Sequence, residues 1–242
     1  GVAGLCAWRM RSATRLPGVT NEVTVPQSTQ NPFTPDEPIT EEERFYGRED
    51  AIEWIDDRFV EGRRFVAVCG MPRMGKTSLL FRLRPRLAGK ALVVYVDLGG
   101  SAQTPVREFF WRIAAEVHRH LGQEHEGLPA LSREDLTAQP DYLRQVVLPI
   151  WKPLLHGKHL ALLLDGLDLS QLREGSWADF LLRLQDLVSQ EEFLYVVAAI
   201  NGPSDEGEPV PVLRGLPKWE LDYLSEDQCE ELLVGNALYQ LG

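Results

Sequence analysis

The residues Gly70-Met71-Pro72-Arg73-Met74-Gly75-Lys76-Thr77 set two glycines, an ammonium and a hydroxyl at the spacing G-x-x-x-x-G-K-[ST], a pattern that folds around polyphosphates. Glycines at 70 and 75 allow torsions and close approaches that a Cβ would block, so successive N–H groups can turn toward phosphate oxygens. Lys76 adds a mobile point charge for β- and γ-phosphates, and the Thr77 hydroxyl can ligate Mg²⁺. Arg73, Met74 and Ser78 complete the candidate nucleotide-binding set. The bland alternative is a turn that merely joins two elements. The four fixed positions would coincide by chance in a chain of this length about one time in a hundred, and the flanks make coincidence rarer still.

Those flanks are the elements the motif requires. "RFVAVCG" reads as a strand, and a helix starts near Lys76 that Pro85 should end. Upstream, Ile52, Ile55 and Phe59 give Asp50 to Val60 one apolar face, which predicts a helix. Downstream, "ALVVYVDL" predicts a second strand and "PVREFFWRIAAEVHRHLG" a long helix. Gln123 to Asp141 reads as loop, and "YLRQVVLPIWKPLL" as helix disturbed at Pro149 and Pro153. "HLALLLDGLD" is a third strand, "WADFLLRLQDLVSQ" a helix, "EFLYVVAAIN" a fourth strand and "WELDYL" a short fifth. Ser225 should cap a last helix with Asp227 in its first turn. Strands apolar on both faces and separated by helices predict an α/β domain with a parallel sheet covered on both sides.

A phosphate loop needs a carboxylate to hold magnesium. Leu160 to Leu164 predict a buried strand with Asp165 at its C-terminal end, where open α/β sheets bind ligands. Hydrolysis also needs a group that orients water. Gly166 stands where a glutamate would serve, so the nearest acidic candidate is Asp168, whose alternative is an ordinary turn residue. Asn201 ends the fourth strand; beside the phosphate loop its amide could meet the γ-phosphate or its water, and otherwise it is a turn residue before Gly202.

The bulk composition narrows the partners. The chain has 242 residues, 44% of them hydrophobic, which is enough for one substantial core. With 25 basic and 36 acidic residues the net charge is −11, which argues against a surface built to follow nucleic-acid phosphates. Cys6, Cys69 and Cys229 are far apart with no CxxC, so neither a disulfide framework nor a zinc site is indicated, and a reducing, cytoplasmic compartment is the expectation. His118, His120 and His125 do not share one helix face and make a poor metal site. Residues 1–40 hold Pro17, Pro26, Pro32, Pro35 and Pro38 among polar residues, a linker composition. The opening "GVAGLCAWRMRSATR" has the Trp-then-Arg order of the cytoplasmic end of a membrane helix, so an anchor before residue 1 is one reading and a processed or disordered leader the other.

Taken in order, "FYGRED", "GMPRMGKTSLL", "LLLDGLD", "AIN" and "WELDYLSEDQCEELL" resemble STAND-type ATPases, the signalling relatives of AAA+ proteins that include NACHT and NB-ARC modules. The likeness covers roughly residues 31 to 242. It implies a P-loop NTPase sheet ordered 5-1-4-3-2, with Asn201 between the phosphate loop and Asp165. It implies that Phe45, Gly47 and Arg48 lie near adenine, and that ATP against ADP drives a closed-to-open switch; other domains of a larger protein or protein partners are the expected output, and an oligomer on activation is one reading of a state that the sequence does not name. "FYGRE" alone could equally be the aromatic staple of a helix. On this reading residues 1–40 are a leader, 41–224 the NTPase core, and 225–242 the start of a truncated helical lid. A nucleotide-stabilised scaffold without chemistry and an AAA+ ATPase acting on nucleic acid remain as alternatives.

Overall fold

The computed structural model describes residues 38–39, 45–99, 104–139, 141–168, 176–202 and 211–241. The expected leader lies outside these residues except for Pro38 and Ile39, as do residues 203–210.

Helix α1 (Glu49–Val60) precedes β1 (Phe65–Gly70), whose six residues are all buried. The chain continues through α2 (Lys76–Leu87), β2 (Ala91–Asp97), α3 (Val106–Glu124) and α4 (Arg133–Ala138). A π-helical turn at Leu143–Val147 leads into α5 (Leu148–Leu154), then β3 (His159–Asp168), α6 (Ser176–Gln190), β4 (Leu194–Asn201), β5 (Lys218–Glu220) and α7 (Glu226–Leu241). The strands form one parallel sheet in the order β2-β3-β4-β1-β5, which is the expected 5-1-4-3-2.

Because strand side chains alternate, the apolar runs feed two cores. Val66, Val68, Ala161, Leu163, Val197 and Ala199 face α1 and α2 with Ile52, Ile55, Leu79, Leu80 and Leu83. Ala67, Val94, Leu162, Leu164, Val196 and Ile200 face the opposite layer, where Phe109 of α3 packs on Trp177 of α6 at 4.1 Å between ring centroids. Helices therefore cover both faces, and the strand ends stay free to carry a site.

Four local expectations are corrected. Pro85 does not end α2, which runs on to Leu87; the proline forfeits one N–H bond to the preceding turn, and the helix continues two residues past it. The stretch Gln123 to Asp141 is not all loop. Ser132 accepts a hydrogen bond from the Asp135 N–H at 3.1 Å and starts α4, which buries Leu136. The third strand covers the whole expected run, His159–Asp168, so Asp165 is not at its C-terminal end; after a register shift between Leu164 and Leu167 the strand pairs on to Asp168. The fifth strand is only Lys218–Glu220. At Pro149 and Pro153 the disturbance expected of residues without an N–H takes the form of the preceding π turn, in which the Leu148 N–H reaches back to the Leu143 carbonyl.

Candidate phosphate-binding site

Strand β1, interior to the sheet, ends at Gly70, and α2 starts six residues later. Gly75 caps α2 in the left-handed region at φ 86°, a torsion that glycine adopts without steric cost. Arg73 holds φ 68° inside the loop, an uncommon setting for a residue with a side chain. The first turn of α2 carries no acidic residue, so the helix's own side chains do not neutralise its positive end.

Lys76 is 5% exposed, and its Nζ donates to the carbonyls of Gly70 at 2.9 Å and Met71 at 2.7 Å. Burial lowers the ammonium's pKa from its usual value, and Asp165 works in the opposite direction. The Thr77 hydroxyl donates to Asp165 Oδ2 at 2.6 Å, joining the loop to β3 across 88 residues of sequence. The other carboxylate oxygen, Oδ1, accepts the Gly166 N–H at 2.8 Å. Ser78 is also buried, and its Oγ accepts the Ile39 N–H at 2.9 Å, so this hydroxyl ties the incoming chain to α2.

The parallel register places Gly70, Asn201 and Asp168 side by side on β1, β4 and β3. Two interstrand spacings separate Gly70 from Asp168, about 10 Å. In the next pairing outward, Asp97 of β2 lies opposite Asp165. Gly166 has φ +79°, and a Cβ there would come within 2.5 Å of the Gly99 nitrogen and 2.8 Å of Asp97 Oδ1. Position 166, next to Asp165, is thus closed to a side chain by the chain following β2.

Phe45, Gly47 and Arg48 gather on the α1 side of the loop. The Phe45 ring is buried among the residues under α1 and α2. Arg48 Nη2 donates to the Met74 carbonyl at 3.3 Å and the Asp222 carbonyl at 2.7 Å, so one guanidinium spans from the phosphate loop to the segment after β5. Burial lowers its pKa from the usual value, against the opposing pull of Asp50 and Asp222. Gly47 (φ +72°) lies against Gln228 of α7, whose Cγ would be 2.8 Å from a Cβ at position 47. Gln228 in turn exchanges hydrogen bonds with Ser225, its Oε1 accepting the Ser225 N–H and its own N–H meeting Ser225 Oγ.

One residue at this site escaped sequence reasoning. The Tyr95 hydroxyl donates to Asp165 Oδ2 at 3.0 Å, and burial followed by the charge of Asp165 raises its pKa above the ordinary phenol range. A hydroxyl on a strand whose neighbour carries the carboxylate was the available signal, but it needed the β2–β3 register to be read. The histidines are apart from the site: His120 Nδ1 lies 2.9 Å from the Glu116 carbonyl and His125 Nε2 lies 3.2 Å from the Leu154 carbonyl.

No protein-family model matches the chain, and no curated protein matches it. Among solved structures it is similar to a Walker-type ATPase of Pyrococcus abyssi, with a TM-score of 0.55 and 16% identity over 85% of this chain and 61% of that one. Weaker similarities are to the Orc1 protein of Aeropyrum pernix in complex with DNA (TM-score 0.49, 17% identity, 81% of this chain and 50% of that one) and to C. elegans PCH-2 (TM-score 0.39, 12% identity, 74% and 43%). The chain therefore spans about three fifths of the first protein's length and half of the second's. No described helix is long and apolar enough to cross a membrane. At such identities likeness speaks of architecture, and the architecture is the α/β P-loop NTPase fold with a five-stranded parallel sheet.

Proposed function

We propose that this chain is the ATP-binding, slowly hydrolysing switch module of a larger regulatory protein of the STAND kind. The observation that carries the proposal is the convergence on one carboxylate and one helix terminus. Thr77 meets Asp165 at 2.6 Å beside a buried Lys76 and a left-handed Gly75. Loop N–H groups and the start of α2 would hold the phosphates, with the Lys76 charge among them. Thr77 and Asp165 are hard oxygen donors, a set that suits Mg²⁺ better than a softer metal. When bound, the ion would neutralise charge on the β- and γ-phosphates. Phe45, Gly47 and Arg48 would flank the base, and Arg48 would carry the loop's position to the segment leading into α7. Asp168 and Asn201, in register beside Gly70, are assigned to orienting the attacking water.

Isothermal calorimetry with ATP and Mg²⁺ tests the binding step. Lys76→Ala is expected to weaken affinity by about two orders of magnitude, because a charged donor to the phosphates is lost. Unchanged affinity would sink the proposal.

A scaffold that binds nucleotide without chemistry is favoured by one observation, the closure of position 166 by Gly99. Single-turnover phosphate release from the full-length polypeptide separates the readings. Release that disappears in Asp168→Asn supports the switch, and no release from the unaltered protein supports the scaffold.

A further inference from the structure

We propose that Tyr95 is a positioning residue for the magnesium-binding carboxylate, orienting Asp165 through its phenolic hydroxyl; this rests on the proposed ATP·Mg²⁺ site.

Among the described residues, Asp165 is held by three donors from three places. Thr77 Oγ1 and Tyr95 OH both donate to Oδ2, at 2.6 and 3.0 Å, while the Gly166 N–H takes Oδ1 at 2.8 Å. The Thr77 contact belongs to the loop, and the Gly166 contact comes from the adjacent residue. Tyr95 is the one donor here that comes from a neighbouring strand. Its register partner on β3 is Leu163, two residues before Asp165 and on the same face, so the phenol lies along the strand toward the carboxylate.

The ring itself is fixed. Phe81 of α2 stacks on Tyr95 with centroids 4.9 Å apart and planes 26° from parallel. Phe81 lies four residues after Thr77, one turn further along the same helix. The helix that presents Thr77 therefore also clamps the tyrosine that holds Thr77's partner. A carboxylate with both oxygens pinned loses little rotational freedom when it engages a cation, which is how outer hydrogen-bond partners tune metal sites.

Tyr95→Phe removes only the hydroxyl and keeps the stacked ring. Calorimetric ATP binding is measured with excess EDTA and with saturating Mg²⁺, for the unaltered protein, Tyr95→Phe, Asp165→Asn and the double variant. The expected result is unchanged affinity in EDTA for Tyr95→Phe and a Mg²⁺-dependent gain in affinity reduced about tenfold. In the Asp165→Asn background the tyrosine substitution should add nothing, since the hydroxyl acts through that carboxylate. A full Mg²⁺ gain in Tyr95→Phe, or equal weakening with and without Mg²⁺, would overturn the role of Tyr95 while leaving the ATP site intact. Absence of ATP binding by the unaltered protein would overturn both. Thermal unfolding without nucleotide shows whether Tyr95→Phe is folded. Should it not be, Phe81→Leu, which loosens the ring and keeps the hydroxyl, must show a smaller loss of the same Mg²⁺ gain, and an intact gain there counts against the proposal.

Discussion

The two flanks of the phosphate loop are built differently. On the Asp165 side, Lys76, Thr77, Tyr95 and Asp165 sit on helix or strand, with donor–acceptor distances of 2.6 to 3.0 Å and parallel strands fixing the register. On the Arg48 side, one guanidinium and one glutamine side chain join the segment before α1, the loop and α7. Beyond that junction α7 leaves Leu233 and Val234 more than half exposed. The contrast teaches where precision and motion belong. On the proposed reading, groups that would meet a charge within tenths of an ångström are mounted on packed elements, and groups that would report a change hang on few, separable bonds.

Substitutions can break this contrast, and Lys76→Ala heads the scale at about 2.7 kcal/mol of ATP binding, the energy of the hundredfold loss expected above. Next comes Gly166→Ala. An alanine must adopt φ +79° and push against the Gly99 backbone, so a fall in unfolding free energy of about 2 kcal/mol is expected in a urea titration. A loss below about 0.5 kcal/mol would mean that the rigid flank yields easily and that the contrast is false.

Arg48→Leu should cost about 1.5 kcal/mol, since two carbonyls lose a charged donor. Its signature is faster hydrogen exchange in α7 with the core strands unaffected; uniform acceleration would make Arg48 an ordinary structural residue. Gly47→Ala should cost about 1 kcal/mol for the left-handed torsion, plus the displacement of Gln228. Adding Gln228→Ala should recover the displacement and not the torsion, a non-additivity readable in a double-mutant cycle. Leu233→Ser, on the exposed face, should change stability by less than about 0.5 kcal/mol.

The same contrast explains what the sequence disclosed. Gly70, Gly75, Lys76 and Thr77 are adjacent in the chain, so their spacing carried the geometry, and the apolar runs around them carried the strands. Asp165 was legible because it follows a buried apolar run about 90 residues after the phosphate loop, with one strand between, although an Asp after a strand is by itself an ordinary turn residue. The fold order came from the motif series rather than from periodicity. Tyr95 and Gly99 were illegible because their partners lie on a neighbouring strand, and only register brings them together. Arg48 was placed near the site, but its bonds to Met74 and Asp222 depend on chain segments 26 and 174 residues away. Pro85 misled for a different reason, since a proline costs one bond to the turn before it and the residues after it can still continue the helix. Ser132 with Asp135 three residues on was a readable capping pair within a stretch that looked only polar.

One carbonyl limits how far the loop can travel. The oxygen of Gly70 accepts the Gly202 N–H at 2.9 Å as well as the Lys76 ammonium, and the neighbouring Cys69 carbonyl accepts the Leu221 N–H at 2.8 Å. Were the lysine to turn to an anion, as proposed, Gly70 would keep its second tether, and the root of the loop would stay moored to the strands on either side. The tethers leave Met71 through Gly75 as the stretch that could swing, five residues of which Arg73 and Gly75 are in the left-handed region.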